Sequence, residues 1–359
     1  MLTKTTMFSR LMTAVPMPRL FGDIVSEVMI LADAIGDHRS PLDARWHDNL
    51  HLSRTIAYKR RASWYSWAKI MKKQSKHLQL REIDKKAVWT LVDAWRTQGK
   101  KRGTGRAMTE GAAVNNLVYL RTLLAYARLD TDRIVPSNMK VLRYMGLTQR
   151  KFFDGRDKSL EGNDIDFWSV FEKAWALEPV VAVVFLLCWR FGFRLEEAYK
   201  WRPYIDFVDG SLCGTVLVNR GGKNGKKRKF TKKLGLIDCM AIKLAKKFAS
   251  RGTGGLIPDH FTQESVFRNL VYDVAKKCGL AKAQLGVTIH GLRHSFAQRY
   301  YLECLITLGD KAYLDCRIDP MQDEKVRLCV AEALGHHRPG ISTVYVGTPN
   351  KPFCQKQMS

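Results

Sequence analysis

Along this chain of 359 residues, apolar side chains recur three and four positions apart over most of the length, a period that predicts helices. Phe21, Ile24, Val25, Val28, Leu31 and Ile35 share one face, and Gly36 is placed to end that helix in a left-handed turn. A second helix is predicted from Ser53 to about Lys76, with Tyr58, Ala62 and Tyr65 inward. Asp84 is placed to cap a third, carrying Val88, Leu91, Val92 and Trp95, and Thr109 a fourth, carrying Leu117, Leu120 and Leu124. Trp64, Trp67 and Trp89 fall at helical spacing and read as core rather than as base-stacking surface. Between the third and fourth helices, Gln98 to Arg106 reads as a basic loop.

From Asp130 to Lys158 the period is lost and Pro136, Gly146 and Gly155 appear, which marks an interdomain linker. Phe167, Trp168, Val170 and Phe171 then open a further helix, and the unbroken apolar run Val180 to Trp189 predicts a buried one, too short to cross a bilayer. Between Asp206 and Phe230 the pattern changes to strands, one over Gly214 to Asn219 and one near Phe230. Thr262 is placed to cap a helix with Phe267, Leu270, Val271 and Val274, ended by Gly279, and another runs from His290 to about Leu305. The fold class is therefore mainly α with a small antiparallel β-sheet.

Charge narrows the partner. Sixty basic residues against thirty-four acidic give +26, which favours a polyanion. Half of it lies in one run, Arg54 to Arg106, which holds sixteen Lys or Arg and three acids; a second run, Arg220 to Lys233, holds eight and none. Arg54, Lys59, Arg60, Arg61, Lys100, Lys101 and Arg102 in the first run, and Lys226, Lys227 and Arg228 in the second, are the candidate DNA contacts. Eight cysteines show no C-x-x-C step, so reduced thiols are expected rather than a zinc module. With no secretory pattern at the N-terminus, a cytoplasmic, nucleoid-associated protein is expected and a membrane partner is not.

Three short boxes carry chemistry: Gly192-Phe-Arg194-Leu-Glu-Glu197, His290-Gly-Leu-Arg293-His294, and Leu334-Gly335-His336 followed nine residues later by Tyr345. Arginine forks match phosphate oxygens, histidine holds or passes a proton near neutral pH, and a phenol can form a covalent intermediate. A lysine box, Gly222-Lys223-Asn-Gly-Lys-Lys-Arg228, lies between the strand-like runs. In this order and spacing the chain resembles the tyrosine recombinases, the phage-integrase family, from Asn163 to Tyr345.

The resemblance implies a helical, SAM-like core-binding bundle followed by an α+β integrase-type catalytic domain. The expected division is an N-terminal helical extension (1–45), the core-binding domain (46–130), the linker (131–160), the catalytic domain (161–345) and a short tail (346–359). It also implies roles. Arg194 and Arg293 clamp the scissile phosphate, Tyr345 attacks it to leave a 3′-phosphotyrosine, Lys223 protonates the departing 5′-oxygen, and His290 and His336 bond the phosphate or take the tyrosine proton. Glu197, favoured over Glu196 by family spacing, orients its neighbours, and His294 braces the arginine box from behind. Tyr300, Tyr301 and Tyr313 are rival nucleophiles, Lys226, Lys227, Lys229 and Lys232 rival acids, and His337 a rival to His336.

No phosphate-binding loop or cluster of metal carboxylates is found, so neither cofactor nor metal is expected. The implied partner is double-stranded DNA at specific recombination sites, bound by a homotetramer with accessory bending or directionality proteins, for a mobile genetic element. A type IB topoisomerase and a catalytically inactive architectural DNA-binding protein are the alternatives. The chain departs from the family between His290 and His336, where an extra stretch from Thr307 to Glu324, with Asp310, Asp315, Asp319 and Asp323, reads as an acidic surface insertion facing a neighbouring protomer. Pro349 and Pro352 limit any helix after Tyr345.

Overall fold

Side-chain caps set where the helices begin, and their apolar stripes set how they face. The computed structural model describes residues 18–38, 40, 52–75, 77–101, 108–148, 155–210, 213–222, 227–307, 318–336, 339–349 and 351–353. The chain divides into two units, Met1–Lys151 and Phe152–Ser359.

In the first unit, helix α1 (Ile24–Ile35) begins where the Asp23 carboxylate accepts from the Ser26 amide, and it buries Ile24, Val28, Leu31, Ala32 and Ile35. Gly36 closes it in the right-handed region (φ −60°), not in the left-handed turn expected. The reason is Arg60 of α2 (Arg54–Gln74), which is 2% exposed and donates to the carbonyls of Ile35 and Gly36 while lying over the Trp64 ring. An arginine that satisfies the last carbonyls of a helix leaves no need for a left-handed cap. Arg60 is thus corrected from a DNA contact to a buried helix cap.

The inward face of α2 carries Trp64, Trp67, Ala68 and Met71, whereas Tyr58 and Ala62, read as inward, are exposed. Helix α3 (Lys85–Lys101) is capped by Asp84 and buries Val88, Leu91, Val92 and Trp95. It runs on through Lys101, so the first part of the expected basic loop is helical, and Arg102 to Arg106 lie outside the described residues. Thr109 caps α4 (Glu110–Tyr126), which buries Leu117, Leu120 and Leu124. The stretch read as linker then carries α5 (Thr131–Ile134), capped by Asp130, and α6 (Asn138–Tyr144), capped by Ser137. Arg121 of α4 fixes the bend between them by donating to the Pro136 carbonyl and the Asn138 side chain. Helices of one or two turns are too short to show a period.

The second unit is built around α8 (Pro179–Phe191), whose central residues are all buried. Packed on it are α7 (Phe167–Leu177, capped by Asp166), α9 (Leu195–Lys200), α10 (Leu236–Lys247) and α12 (Ile289–Thr307). Trp189 stacks on Phe167 with ring centres 4.0 Å apart. A three-stranded antiparallel sheet, β1 (Phe207–Val208), β2 (Cys213–Val218) and β3 (Arg228–Lys233), has Val216 opposite Phe230. Helix α11 (Glu264–Lys277) starts at Gln263 rather than at Thr262 and ends before Gly279.

Asp319 caps α13 (Pro320–Ala333), which packs on α12 and on β3. Asp323 therefore corrects the insertion reading: it is buried, accepting from Tyr301 and pairing with Arg327 at 2.6 Å, whereas Asp319 is exposed and begins the helix. Residues 308–317, with Asp310, Tyr313 and Asp315, lie outside the described set. A four-residue helix, α14 (Thr343–Val346), holds Tyr345, and β4 (Gly347–Thr348) pairs with β5 (Lys351–Pro352). No α-helix follows among the described residues. None of the described helices is long and apolar enough to cross a membrane.

Candidate active site

Gly192 makes the site possible. It ends α8 at φ +61°, and a Cβ there would meet the Phe296 ring at 2.2 Å, so glycine alone lets α8 turn directly into the residues that follow. Two residues on, Arg194 is the N-cap of α9, with its amide donating to Glu197 Oε2 at 2.8 Å and its side chain to Glu197 Oε1 at 2.5 Å.

Glu197 is 1% exposed and is a hub. Its Oε2 also accepts from Arg228 at 2.6 Å and lies 3.6 Å from Arg293. Burial would raise its pKa, but the charges of Arg228, Arg293 and Arg194 outweigh that and hold the carboxyl below its ordinary value. Each guanidinium also donates to a helix end. Arg293 donates to the carbonyls of Gly192 and Leu334, Arg194 to Leu334 at 3.5 Å, and Arg228 to Ala333. These carbonyls close α8 and α13, where the partial negative charge of a helix lies.

Three rings surround Tyr345, which is 6% exposed. Its ring centre lies 4.6 Å from that of His294, 6.0 Å from His290 and 6.1 Å from His336, and the Arg293 guanidinium carbon lies 5.8 Å from it. His294, expected behind the arginine box, instead packs against both Tyr345 and His290. Gln298 donates to the Tyr345 carbonyl at 3.2 Å and Arg327 to that of Gly347 at 2.8 Å, holding the short helix from both sides. Of the rival tyrosines, Tyr300 stacks on Phe296 and Tyr301 donates to Asp323.

The imidazoles are tuned toward neutrality. Burial, then the charges of Arg293, Arg194 and Arg228, lower His336 to about 4. Desolvation, then the charges of Arg293, Arg194 and Lys158, lower His290; because this residue is exposed, the cations carry the effect. A neutral imidazole has one nitrogen free to accept a proton. The His336 Nε2 and the Arg293 Nε–H are buried with no hydrogen-bond partner among the described residues. The unpaired Arg293 N–H suits an acceptor oxygen of an anion, and an unpaired imidazole nitrogen in its neutral form suits a proton donor such as a phenol.

The structure brings Arg194, Glu197, His290, Arg293, His294, His336 and Tyr345 together. Lys223, Lys226 and His337 lie outside the described residues. Lys227 and Lys229 are exposed on the hairpin, while Lys232 is buried between Asp238 (3.3 Å) and Glu303 (3.8 Å). Arg228, expected to contact DNA, is corrected: its side chain is 4% exposed and bound to Glu197. Of the remaining candidate DNA contacts, Lys59 is exposed and Arg61 half-buried, and the side chains of Arg54, Lys100 and Lys101 fall outside the described set.

No family model matches the sequence, and no curated protein matches it. Solved structures do. Over 89% of this chain and 81% of the other, it is similar at 16% identity and a TM-score of 0.52 to the XerH site-specific recombinase bound to palindromic difH substrate in a post-cleavage complex. The pre-cleavage complex of XerH with difH is similar at 15% identity and 0.52, covering 95% and 90%. A lambda integrase dimer bound to a COC′ core site is similar at 15% identity and 0.50, covering 82% and 72%. The chain has the tyrosine recombinase fold. At these identities the likeness extends to the backbone, and the chemistry of the tyrosine recombinase fold in this chain rests on its own residues.

Proposed function

We propose that the chain is a site-specific DNA recombinase of a mobile genetic element, working through a 3′-phosphotyrosine. The observation that carries the reading is Tyr345 enclosed by His290, His294, His336 and Arg293, with Arg194 tied to Arg293 through Glu197.

Arg194 and Arg293 bond the non-bridging oxygens of one DNA phosphate and stabilise the charge that builds in its five-coordinate transition state. The Tyr345 oxygen attacks phosphorus in line as its proton passes to a neutral imidazole, for which His336 is the first candidate and His290 the second. The new bond joins the tyrosine oxygen to phosphorus, and the bond that breaks joins phosphorus to the 5′-oxygen. Lys223 supplies the proton to that leaving oxygen. Attack by another strand's 5′-hydroxyl reverses each transfer and reseals the DNA, so the phosphotyrosyl bond conserves the energy of the one broken.

The basic first unit grips the backbone of double-stranded DNA, and strand exchange between two sites calls for four copies of the chain. The fold and the basic helices 54–101 support this. To test the reading, full-length protein is incubated with sheared genomic DNA from the organism carrying the gene. Covalently attached fragments are then recovered under denaturing conditions and sequenced. Fragments sharing one sequence, captured by wild type and absent with Tyr345→Phe, are expected. Equal capture by Tyr345→Phe refutes the nucleophile. Capture without a shared sequence, with relaxation of any supercoiled plasmid, favours a topoisomerase, and no capture leaves only a DNA-binding role.

A further inference from the structure

One side chain reaches into both the first arginine box and the last histidine box, although it belongs to neither. Arg228 opens β3, and its side chain faces inward with Phe230 and Lys232, as the alternating burial of the strand requires. Its Nη2 bonds Glu197 Oε2 at 2.6 Å and reaches the Gly192 carbonyl at 3.5 Å, while its Nη1 donates to the Ala333 carbonyl. The guanidinium lies near the rings of Phe193 (5.8 Å) and Phe230 (5.9 Å). Gly335 leaves room for its stem, since a Cβ there would stand 2.9 Å from Arg228 Cδ.

These contacts have consequences on two sides. The carboxylate whose Oε2 Arg228 fixes is the one whose Oε1 holds Arg194, so the plane of Glu197 sets the direction of the Arg194 fork. The Ala333 carbonyl it holds is the last of α13, three residues before His336. A planar guanidinium can make these bonds at once, whereas an ammonium, a point charge on a flexible stem, cannot hold both in fixed geometry. Burial and the neighbouring arginines lower Arg228 to about 9, which leaves it charged at neutral pH.

We infer that Arg228 is a positioning residue for strand cleavage: it sets the distance between the Arg194 guanidinium and the His336 imidazole without touching DNA. This rests on the recombinase reading. It replaces the role in phosphate binding that the basic run around Arg228 suggests.

The test uses the full-length chain and a nicked duplex built on the sequence recovered by covalent capture. Arg228→Lys and Arg228→Met are compared with wild type in single-turnover adduct formation at saturating DNA, in affinity across a salt series, and in circular dichroism. Arg228→Met is expected to cleave at least tenfold more slowly and Arg228→Lys to recover part of the loss. Both should keep the wild-type salt slope and affinity within about twofold.

In a double-mutant cycle with Glu197→Gln, the two losses are expected to be less than additive, because both act on one contact. A wild-type cleavage rate in Arg228→Met overturns the inference. So does a salt slope reduced by about one with weakened binding, the mark of a lost phosphate contact. If Arg228→Met does not fold, Arg228→Lys decides: wild-type cleavage by it refutes the need for a fork. Absence of adduct with wild type refutes the recombinase reading itself and the inference with it.

Discussion

Replacing Glu197 by Gln keeps the shape of the side chain and removes the single negative charge among three guanidinium groups. The carboxylate is 1% exposed, bonds Arg194 at 2.5 Å and Arg228 at 2.6 Å, and lies 3.6 Å from Arg293, so water does not screen these pairs. Breaking a buried ion pair by removing one partner costs about 3–5 kcal/mol, because the other charge is left uncompensated. For a unit of roughly 200 residues, each kcal/mol lowers Tm by about 2–4 °C, so a fall of roughly 6–20 °C is expected for Glu197→Gln at pH 7.

The pH dependence follows from the lowered pKa of Glu197. Its stabilisation is fully present above the unfolded carboxyl pKa of about 4.3 and is lost as pH falls through the lower folded value. The difference in Tm between wild type and Glu197→Gln should therefore shrink on acidification below about pH 4. Because the variant leaves three cations facing one another, inorganic phosphate should raise its Tm more than that of wild type. Thermal melts by circular dichroism across pH and phosphate concentration are the assay. A Tm within about 2 °C of wild type at pH 7, with no phosphate effect, would refute the hub as the organising feature of the site.

The low pKa of His336, about 4, predicts that cleavage holds its rate as pH falls from 8 to about 5 and declines only below that; a midpoint near 6.5 would place the working histidine elsewhere. The same shift makes the folded chain refuse a proton that the unfolded chain accepts below about pH 6.5, so His336 should cost stability as pH drops from there toward 4. If six to ten phosphates are contacted, DNA affinity should fall about 10³- to 10⁵-fold between roughly 50 and 200 mM salt, and a flat response in a titration by fluorescence anisotropy would contradict the basic clamp. Arg60→Met should destabilise the first unit by about 1–3 kcal/mol through the lost caps on Ile35 and Gly36 while leaving the salt slope unchanged. A reduced slope would return Arg60 to the DNA surface.

The resemblance to the tyrosine recombinases picks out Arg194, His290, Arg293 and His336 as candidates because each box is local, a few residues at fixed spacing. What joins the boxes was not legible in the sequence. A run such as Lys226-Lys-Arg228-Lys says that a segment is basic, not which way each side chain faces. Strand alternation held the missing signal, since a strand that turns Phe230 inward must turn Arg228 and Lys232 inward with it.

Arg60 was misread for the same reason, sitting on α2 in line with Trp64 and Trp67 rather than with its charged neighbours. The helices α5 and α6 escaped notice because four and seven residues give no period. Asp323 and Arg327, four residues apart on α13, carried the signature of a helical ion pair, but not the fact that it is buried and reaches the Gly347 carbonyl beyond Tyr345.

Everything in the proposed chemistry turns on which oxygen becomes bonded to DNA. Mass spectrometry of the protease-digested adduct, with the attached nucleotide located by fragmentation, measures that directly. A nucleotide linked through its 3′-phosphate to Tyr345 is the expected result. The same label on Tyr300, Tyr301 or Tyr313, or on any residue other than a tyrosine, would contradict the account.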